Sequence, residues 1–316
     1  MKNFHTLVLQ SAIALVVALA GPRQLAAAPT AELFTMKTVD GVLLHGLHYR
    51  PQRNSTSAVI HVPGGPGAFY SAQDMAPLAQ ALTGDGIHFL SVNLRTAGTN
   101  GMYYAKFEEY PLDIAAAVRY AKDEGLTDIV LLGHSLSSAR VFYYFSQTRE
   151  PAIKALIVSS GITSPYLESQ LRWSKPDRAK YDEFLVHRRE DIAAGNGRTL
   201  NAYPWGPNRN FEFSAATWVN VFGNPQESNA STVKFSKDIS VPVLIVHGTK
   251  DETAVPANAE QIFASLTNSP KKELVWIDGG NHLFIGTAEK YANVVDGWVI
   301  KMLSPGSRDC DGCQRE

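Results

Sequence analysis

The chain has 316 residues, 45% of them hydrophobic and 19% charged, the make-up of a folded globular protein and not of a disordered or collagenous one. Lys and Arg number 29 against 30 Asp and Glu, a formal net charge of −1, so nothing draws it to nucleic acid and no basic run holds it to a membrane surface. Two cysteines can build neither a disulfide scaffold nor a four-thiolate zinc site.

Residues 7–20 read LVLQSAIALVVALA, behind Lys2 and ahead of Leu25-Ala26-Ala27-Ala28. A membrane span needs roughly 20 apolar residues, and this run falls short. A positive start, a short apolar middle and a small-residue end make a secretory signal peptide, expected over 1–28. The mature protein is then exported, periplasmic or secreted, with no stable membrane span after cleavage. At the other end Cys310 and Cys313 stand as C-D-G-C in a polar tail, 306–316. No helix start or further ligand accompanies them, so a local disulfide or a loose tail is expected.

Between these ends the elements follow in order. Strands over 33–38 and 42–49 flank Asp40-Gly41, a hairpin signal. A short apolar strand, 58–62, runs into PGGPG; a helix is expected over 76–82 and a strand over 87–92. Pro111 opens a helix in which Ile114, Ala117, Val118 and Ala121 share one face. Strand 128–132, helix 136–145 and strand 153–159 follow, then strands 241–246 and 273–277. A last helix places Tyr291, Val294, Val295 and Trp298 together. The alternation predicts an α/β fold with a mostly parallel sheet flanked by helices, its core formed by 29–160 and 238–305. Only 161–237 breaks the rhythm: a helical stretch, WSKPDRAKYDEFLVHRREDIAAG, then an irregular YPWGPNRNFEF. It is read as a helical cap insertion over the sheet's C-terminal edge.

Chemistry is concentrated at strand ends. Gly133-His134-Ser135-Leu136-Ser137 joins a strand to a helix, with small residues two places either side of Ser135. A sharp turn of this kind exposes the serine hydroxyl, and the following helix aims its positive end at the same spot. Late in the chain stand Val243-Leu-Ile-Val-His-Gly248-Thr-Lys-Asp251 and Gly279-Gly280-Asn281-His282, each at the end of a predicted strand.

Together these motifs resemble the α/β-hydrolase-fold serine hydrolases, in the order nucleophile, acid, histidine. The resemblance covers nearly all of the mature chain. It implies that Ser135 is the nucleophile, His282 the base that takes and returns its proton, and Asp251 the group that orients the imidazole. Glu252 and Asp278 are rivals for the acid. His134 is a poorer base, its side chain expected to leave the turn in another direction, and His247 is expected to be structural. The oxyanion donors implied are the backbone N–H groups of Leu136 and of Gly65 in His61-Val-Pro-Gly64-Gly65-Pro66-Gly67. The usual His-Gly-Gly is altered here, with Pro63 in the His position. The last glycine of the nucleophile turn is replaced by Ser137, and Asn93 stands where many relatives have Asp. Asn93 and Arg95 are read as structural. Ser at the nucleophile position implies acyl transfer to water, with no metal and no organic cofactor.

The substrate expected is a small-molecule ester, or a short peptide if the chain is an aminopeptidase or amidase. GGPG also resembles the proline iminopeptidase branch, and Glu168, Asp177, Asp182 and Glu183 are the carboxylates available to hold an ammonium. A non-catalytic binding protein on this fold is the remaining alternative. The insertion's aromatic residues, Trp173, Tyr203, Trp205, Phe211, Phe213, Trp218 and Phe222, are expected to be mostly its own core.

Overall fold

The computed structural model describes residues 30–69, 75–98, 101–205 and 210–304. The predicted signal segment and the C-D-G-C tail lie outside the described residues.

Strands β1 (Thr30–Lys37) and β2 (Leu43–Arg50) pair antiparallel around Gly41, whose φ of 92° suits only glycine. Strand β3 (Ser57–Val62), helix α1 (Met75–Gly84), strand β4 (His88–Val92) and helix α2 (Tyr110–Asp123) follow, Pro111 sitting in the first turn of α2, where a missing N–H costs nothing. Next come β5 (Asp128–His134), α3 (Ser137–Thr148) and β6 (Ile153–Ser159).

The insertion holds α4 (Pro165–Arg172), α5 (Lys175–Ala193), strands β7 (Leu200–Pro204) and β8 (Asn210–Ser214), α6 (Ala215–Phe222) and α7 (Thr232–Phe235). Each of its helices starts at a serine, Ser164, Ser174, Ser214 or Ser231, whose hydroxyl accepts from the backbone N–H three residues on. The insertion is helical as expected, apart from one antiparallel pair of strands. The segment taken as irregular is an antiparallel pair, Leu200↔Ser214 through Pro204↔Asn210. Pro204, the last residue of β7, and the glycine and proline that follow it in the sequence hid the alternation of Asn201, Tyr203, Phe211 and Phe213.

Strand β9 (Val243–Gly248), helix α8 (Ala257–Ser265), strand β10 (Lys272–Ile277) and helix α9 (Ala288–Leu303) complete the chain. Helix α8 was not expected; its nine residues bury only Asn258, Ala259 and Ile262, too short a stripe to stand out.

The main sheet has eight strands in the order β1-β2-β4-β3-β5-β6-β9-β10, antiparallel through β2 and β4 and parallel from there on. Alternate side chains feed two cores. Ala58, Ile60, Leu131, Leu156 and Ile245 join the layer under α2, α3 and α8. Val59, Leu132, Ile157 and Val246 join that under α1 and α9. Burying such a side chain contributes about 1.5–3 kcal/mol, which is why both faces must be covered. The parallel strands all end on one edge, and β3, β5, β9 and β10 deliver their loops there. Among the described residues, no helix is long and apolar enough to cross a membrane.

Candidate active site

Between β5 and α3 the backbone turns through Ser135 with φ at 53°, a region that disfavours a residue with a Cβ. The turn is held on both sides. Ser135 N donates to Ser159 O at 2.9 Å, and Ser138 N and Oγ both donate to Ser135 O, at 3.0 and 2.7 Å. Glycine at 133 is obligatory, because a Cβ there would lie 2.3 Å from Ser137 O. Gly133→Ala is therefore expected to lower the melting temperature by about 5–10 °C and to remove most of any turnover. Thermal unfolding followed beside an ester assay checks it.

The loops after β9 and β10 are locked together by another glycine pair. A Cβ on Gly248 would sit 2.2 Å from Gly280 O, and Lys250 N donates to Gly280 O at 2.9 Å. This close backbone approach fixes Asp251 against His282. Asp251 is buried, and its Oδ1 accepts from Thr253 N and Ala254 N, both at 2.8 Å. Its Oδ2 lies 2.8 Å from His282 Nδ1, and His282 Nε2 lies 3.0 Å from Ser135 Oγ. With Nδ1–H donating to the carboxylate, Nε2 is left to accept from the serine hydroxyl. Asn281 Oδ1 steadies the histidine loop by accepting from Leu283 N and Ile285 N, at 3.1 and 3.0 Å.

The rivals are elsewhere. Asp278 is exposed and meets Thr249 Oγ1 at 3.4 Å, and Glu252 is exposed at the cavity edge. His247 is buried, Nε2 donating to Ala254 O at 2.7 Å and lying 3.5 Å from Asp251 Oδ2, so it braces the acid loop. Burial pushes its pKa down. His134 does not turn away as expected: its ring packs 4.9 Å from that of His282 and lines the same cavity. Its Nδ1 meets Ser159 Oγ at 3.2 Å, and burial holds it well below its usual range, hence neutral.

The glycine loop lies directly over the serine: a Cβ on Gly64 would be 2.7 Å from Ser135 Cβ. Gly65 has φ of 52° and Gly67 of 79°, so both need glycine's freedom. Five successive carbonyls of this loop have partners. Pro63 O accepts from Ser137 Oγ at 2.6 Å and Arg140 Nη1 at 3.3 Å. Gly64 O accepts from Gly67 N, Gly65 O from Arg140 Nη2, Pro66 O from Thr96 Oγ1 and Gly67 O from Leu94 N, all within 2.8–3.0 Å. Asn93 Oδ1 accepts from Phe69 N at 2.8 Å, securing the loop's far end. The N–H groups of Gly65 and Leu136 bond to no other described residue. His61 is not part of this surface; it is buried in β3, Nδ1 2.9 Å from Ser91 Oγ, and desolvation lowers its pKa to about 3.

Arg140 and Thr96 were missed as loop anchors, whereas Asn93, read as structural, secures the loop's far end. The one signal was a single charged residue, Arg140, in an otherwise uncharged helix. Arg95 is structural: its Nε and N bond to the fully buried Asp113, each at 2.9 Å.

Ser135 and His282 open on a cavity of about 1240 Å³ between the strand ends and the insertion. Its insertion side is aromatic, with Trp205, Phe211, Phe213 and Phe222 in the wall; these rings also belong to the core as expected, Trp205, Phe213, Trp218 and Phe222 being buried and Trp173, Tyr203 and Phe211 packed against that core. Trp205 and Phe211 lie nearly parallel, centroids 5.4 Å apart. Trp218 is wholly enclosed and forms the layer behind.

Of the four candidate ammonium holders only Glu168 lines the cavity, and its carboxylate is engaged. Oε2 accepts from Asn258 Nδ2 and Oε1 from Val255 N at 3.4 Å, and Arg172 Nε lies 3.8 Å away. Burial raises its pKa. Asp177 accepts from the hydroxyl of the capping Ser174 at 2.6 Å, Asp182 accepts from Tyr166 Oη at 2.8 Å, and Glu183 is exposed outside the cavity wall.

The insertion is fastened where it leaves and rejoins the sheet. Thr232 Oγ1 donates to Ile162 O at 2.6 Å and lies 3.0 Å from Ser138 Oγ, while Thr232 N donates to Thr163 O at 2.7 Å. Thr163 N and Oγ1 both donate to Asn258 Oδ1, at 2.9 and 3.0 Å.

Comparison with known proteins gives three findings. The family model described as Serine aminopeptidase, S33 matches residues 56–289. No curated protein matches the chain. Solved structures share the fold at low identity. Est1E from Butyrivibrio proteoclasticus, in a structure with ferulic acid bound, is 19% identical with a TM-score of 0.64, the alignment covering 84% of this chain and 98% of that one. The esterase domain of a Rhodothermus marinus protein is 18% identical with a TM-score of 0.57, covering 85% and 97%. DcsB, in complex with its substrate analogue, is 18% identical with a TM-score of 0.66, covering 87% and 100%.

Proposed function

We propose, from the premise that the chain belongs to the serine aminopeptidase S33 family of α/β-fold hydrolases, that it cleaves carboxylic esters through an acyl-enzyme on Ser135. The observation that carries this reading is the hydrogen-bonded series Ser135–His282–Asp251 facing the cavity, with the N–H groups of Gly65 and Leu136 beside it bonded to no other described residue. His282 Nε2 takes the hydroxyl proton as Ser135 Oγ attacks the ester carbonyl. The oxyanion forms against Gly65 N–H and Leu136 N–H, and the imidazolium is held by Asp251. His282 then gives its proton to the departing alkoxide. Water, deprotonated by the same imidazole, attacks the acyl-enzyme, and the imidazolium returns the proton to Ser135 Oγ as the acid leaves.

The preference for an ester over an amino-terminal peptide rests on Glu168, whose buried carboxylate already serves Asn258 and Val255. The aromatic wall favours a large apolar or aromatic group on one side of the ester, and Est1E, which binds ferulic acid, supports such a substrate class. A second reading, an aminopeptidase, is favoured by Glu212 and Glu252, exposed carboxylates on the same cavity. The short apolar run at 7–20 supports an exported enzyme.

Assaying the purified protein on p-nitrophenyl esters beside amino-acid p-nitroanilides separates the two. Ester turnover at least about tenfold above anilide turnover in kcat/KM is expected. Dominant anilide turnover would put the aminopeptidase first, and inertness to both, with no fluorophosphonate labelling, would end the serine-hydrolase reading.

A further inference from the structure

Arg140 is among the largest wholly buried side chains, and no carboxylate lies within ion-pair distance of it among the described residues. An unpaired guanidinium in a core is costly, and an apolar residue of the same volume would fill the space at less cost. Something must repay it. Its face lies 4.0 Å over the Tyr110 ring, and Asp113 feels its charge without touching it. Every hydrogen bond it makes goes to one place: Nη1 to Pro63 O at 3.3 Å and to Ser137 Oγ at 2.9 Å, and Nη2 to Gly65 O at 2.8 Å. Ser137 Oγ in turn donates to Pro63 O at 2.6 Å.

We propose that Arg140 is a positioning residue for the reaction, a cationic clamp that holds the glycine loop in its oxyanion-binding shape. This rests on the serine-hydrolase reading above. The two carbonyls it grips bracket Gly64 and Gly65, the most freely rotating stretch of the loop. Gly65 has no side chain, and the space on its Cβ side is open, so the bond from Arg140 to its own carbonyl is what bears directly on its positive φ. An oxyanion site works because its donors need not reorganise when charge appears, and a fixed fork of N–H groups supplies that rigidity. The guanidinium also sets a buried positive charge behind the loop. Ser137, which departs from the usual glycine of the turn, carries the hydroxyl that joins fork to loop.

The test is Arg140→Met and Arg140→Lys, read on a p-nitrophenyl ester and on a boronic acid, which adds to a serine oxygen as a tetrahedral anion. Arg140→Met is expected to lower kcat by about tenfold to a hundredfold, with KM within about threefold. Boronic-acid affinity should fall by the same factor, and the acid limb of the pH profile should stay in place, since His282 and Asp251 are untouched. Arg140→Lys, with one donor group able to reach one carbonyl, should recover part of both losses. A folded Arg140→Met with wild-type kcat and boronic-acid affinity overturns the clamp, as does a variant that melts earlier with both unchanged. Should Arg140→Met fail to fold, Ser137→Ala removes the bridge alone. A parallel loss of several-fold in kcat and boronic-acid affinity supports the clamp, and no change in either overturns it. Wild-type protein inert to ester and fluorophosphonate would instead defeat the serine-hydrolase reading itself.

Discussion

Ser135→Ala is expected to reduce ester turnover by about 10⁵-fold, leaving a folded protein that no fluorophosphonate labels. By the usual conversion this is about 7 kcal/mol of transition-state stabilisation. The substitution isolates the chemistry because it disturbs little else. Alanine keeps the Cβ, so the strain at φ 53° is the same in both proteins. The backbone bonds to Ser159 O and from Ser138 do not involve the hydroxyl. The one side-chain partner lost is His282 Nε2, on a half-buried ring that water can reach. Melting within about 2 °C of wild type is therefore expected, since a change away from the core costs about 0.5 kcal/mol or less. Turnover surviving in a folded Ser135→Ala protein would move the nucleophile elsewhere.

Asp251→Asn is expected to cost about 10⁴-fold in kcat. The direction comes from the two backbone donors. Thr253 N and Ala254 N both point at Oδ1, so an asparagine must keep its oxygen there. Its NH₂ then faces His282 Nδ1, which must accept instead of donate. The imidazole proton moves to Nε2, and the atom facing Ser135 Oγ becomes a donor, unable to take the hydroxyl proton. Packing is preserved, so the loss should appear in kcat with the protein intact. Asp278→Asn, at an exposed carboxylate bonded only to Thr249, should leave turnover unchanged. If Asp278→Asn were the damaging change, the acid would have to be reassigned.

Much of this was legible in the sequence because glycines mark where backbones must touch. Gly133, Gly64 and Gly248 each occupy a position where a Cβ would collide with an adjoining segment, Gly280 is tightly packed against Gly248, and each stands in a motif at a strand's end. The sheet was legible for a similar reason: strands buried on both faces, such as β5 and β9, read as unbroken apolar runs. What could not be read depends on contacts between distant segments. Arg140 lies 77 positions from Pro63, and nothing local tells a clamped arginine from a surface one. Helix α5 buries only Tyr181 and Leu185 and gives no residue to the cavity wall, so Asp177, Asp182 and Glu183 lie away from it, a placement set by packing between segments and not by local sequence. The β7–β8 pair was obscured because its alternation belongs to a two-stranded ribbon of five residues a side.

The fastening of the insertion has a consequence for how such a protein can diversify. Its entry at Ile162 and Thr163 and its exit at Thr232 are knotted to one another and to Ser138, and Glu168 makes a third tie to Asn258. The glycine loop and the histidine loop are held from outside the segment, by Arg140, Thr96, Asn93 and the Gly248–Gly280 contact, and the acid loop is tied to the segment only through Glu168 and Arg172 of α4 among the described residues. Recognition and reaction are thereby heritable separately. A lineage can exchange the stretch between the knots for one of different length or ring content and acquire a new diet, while the catalytic inheritance passes on unaltered.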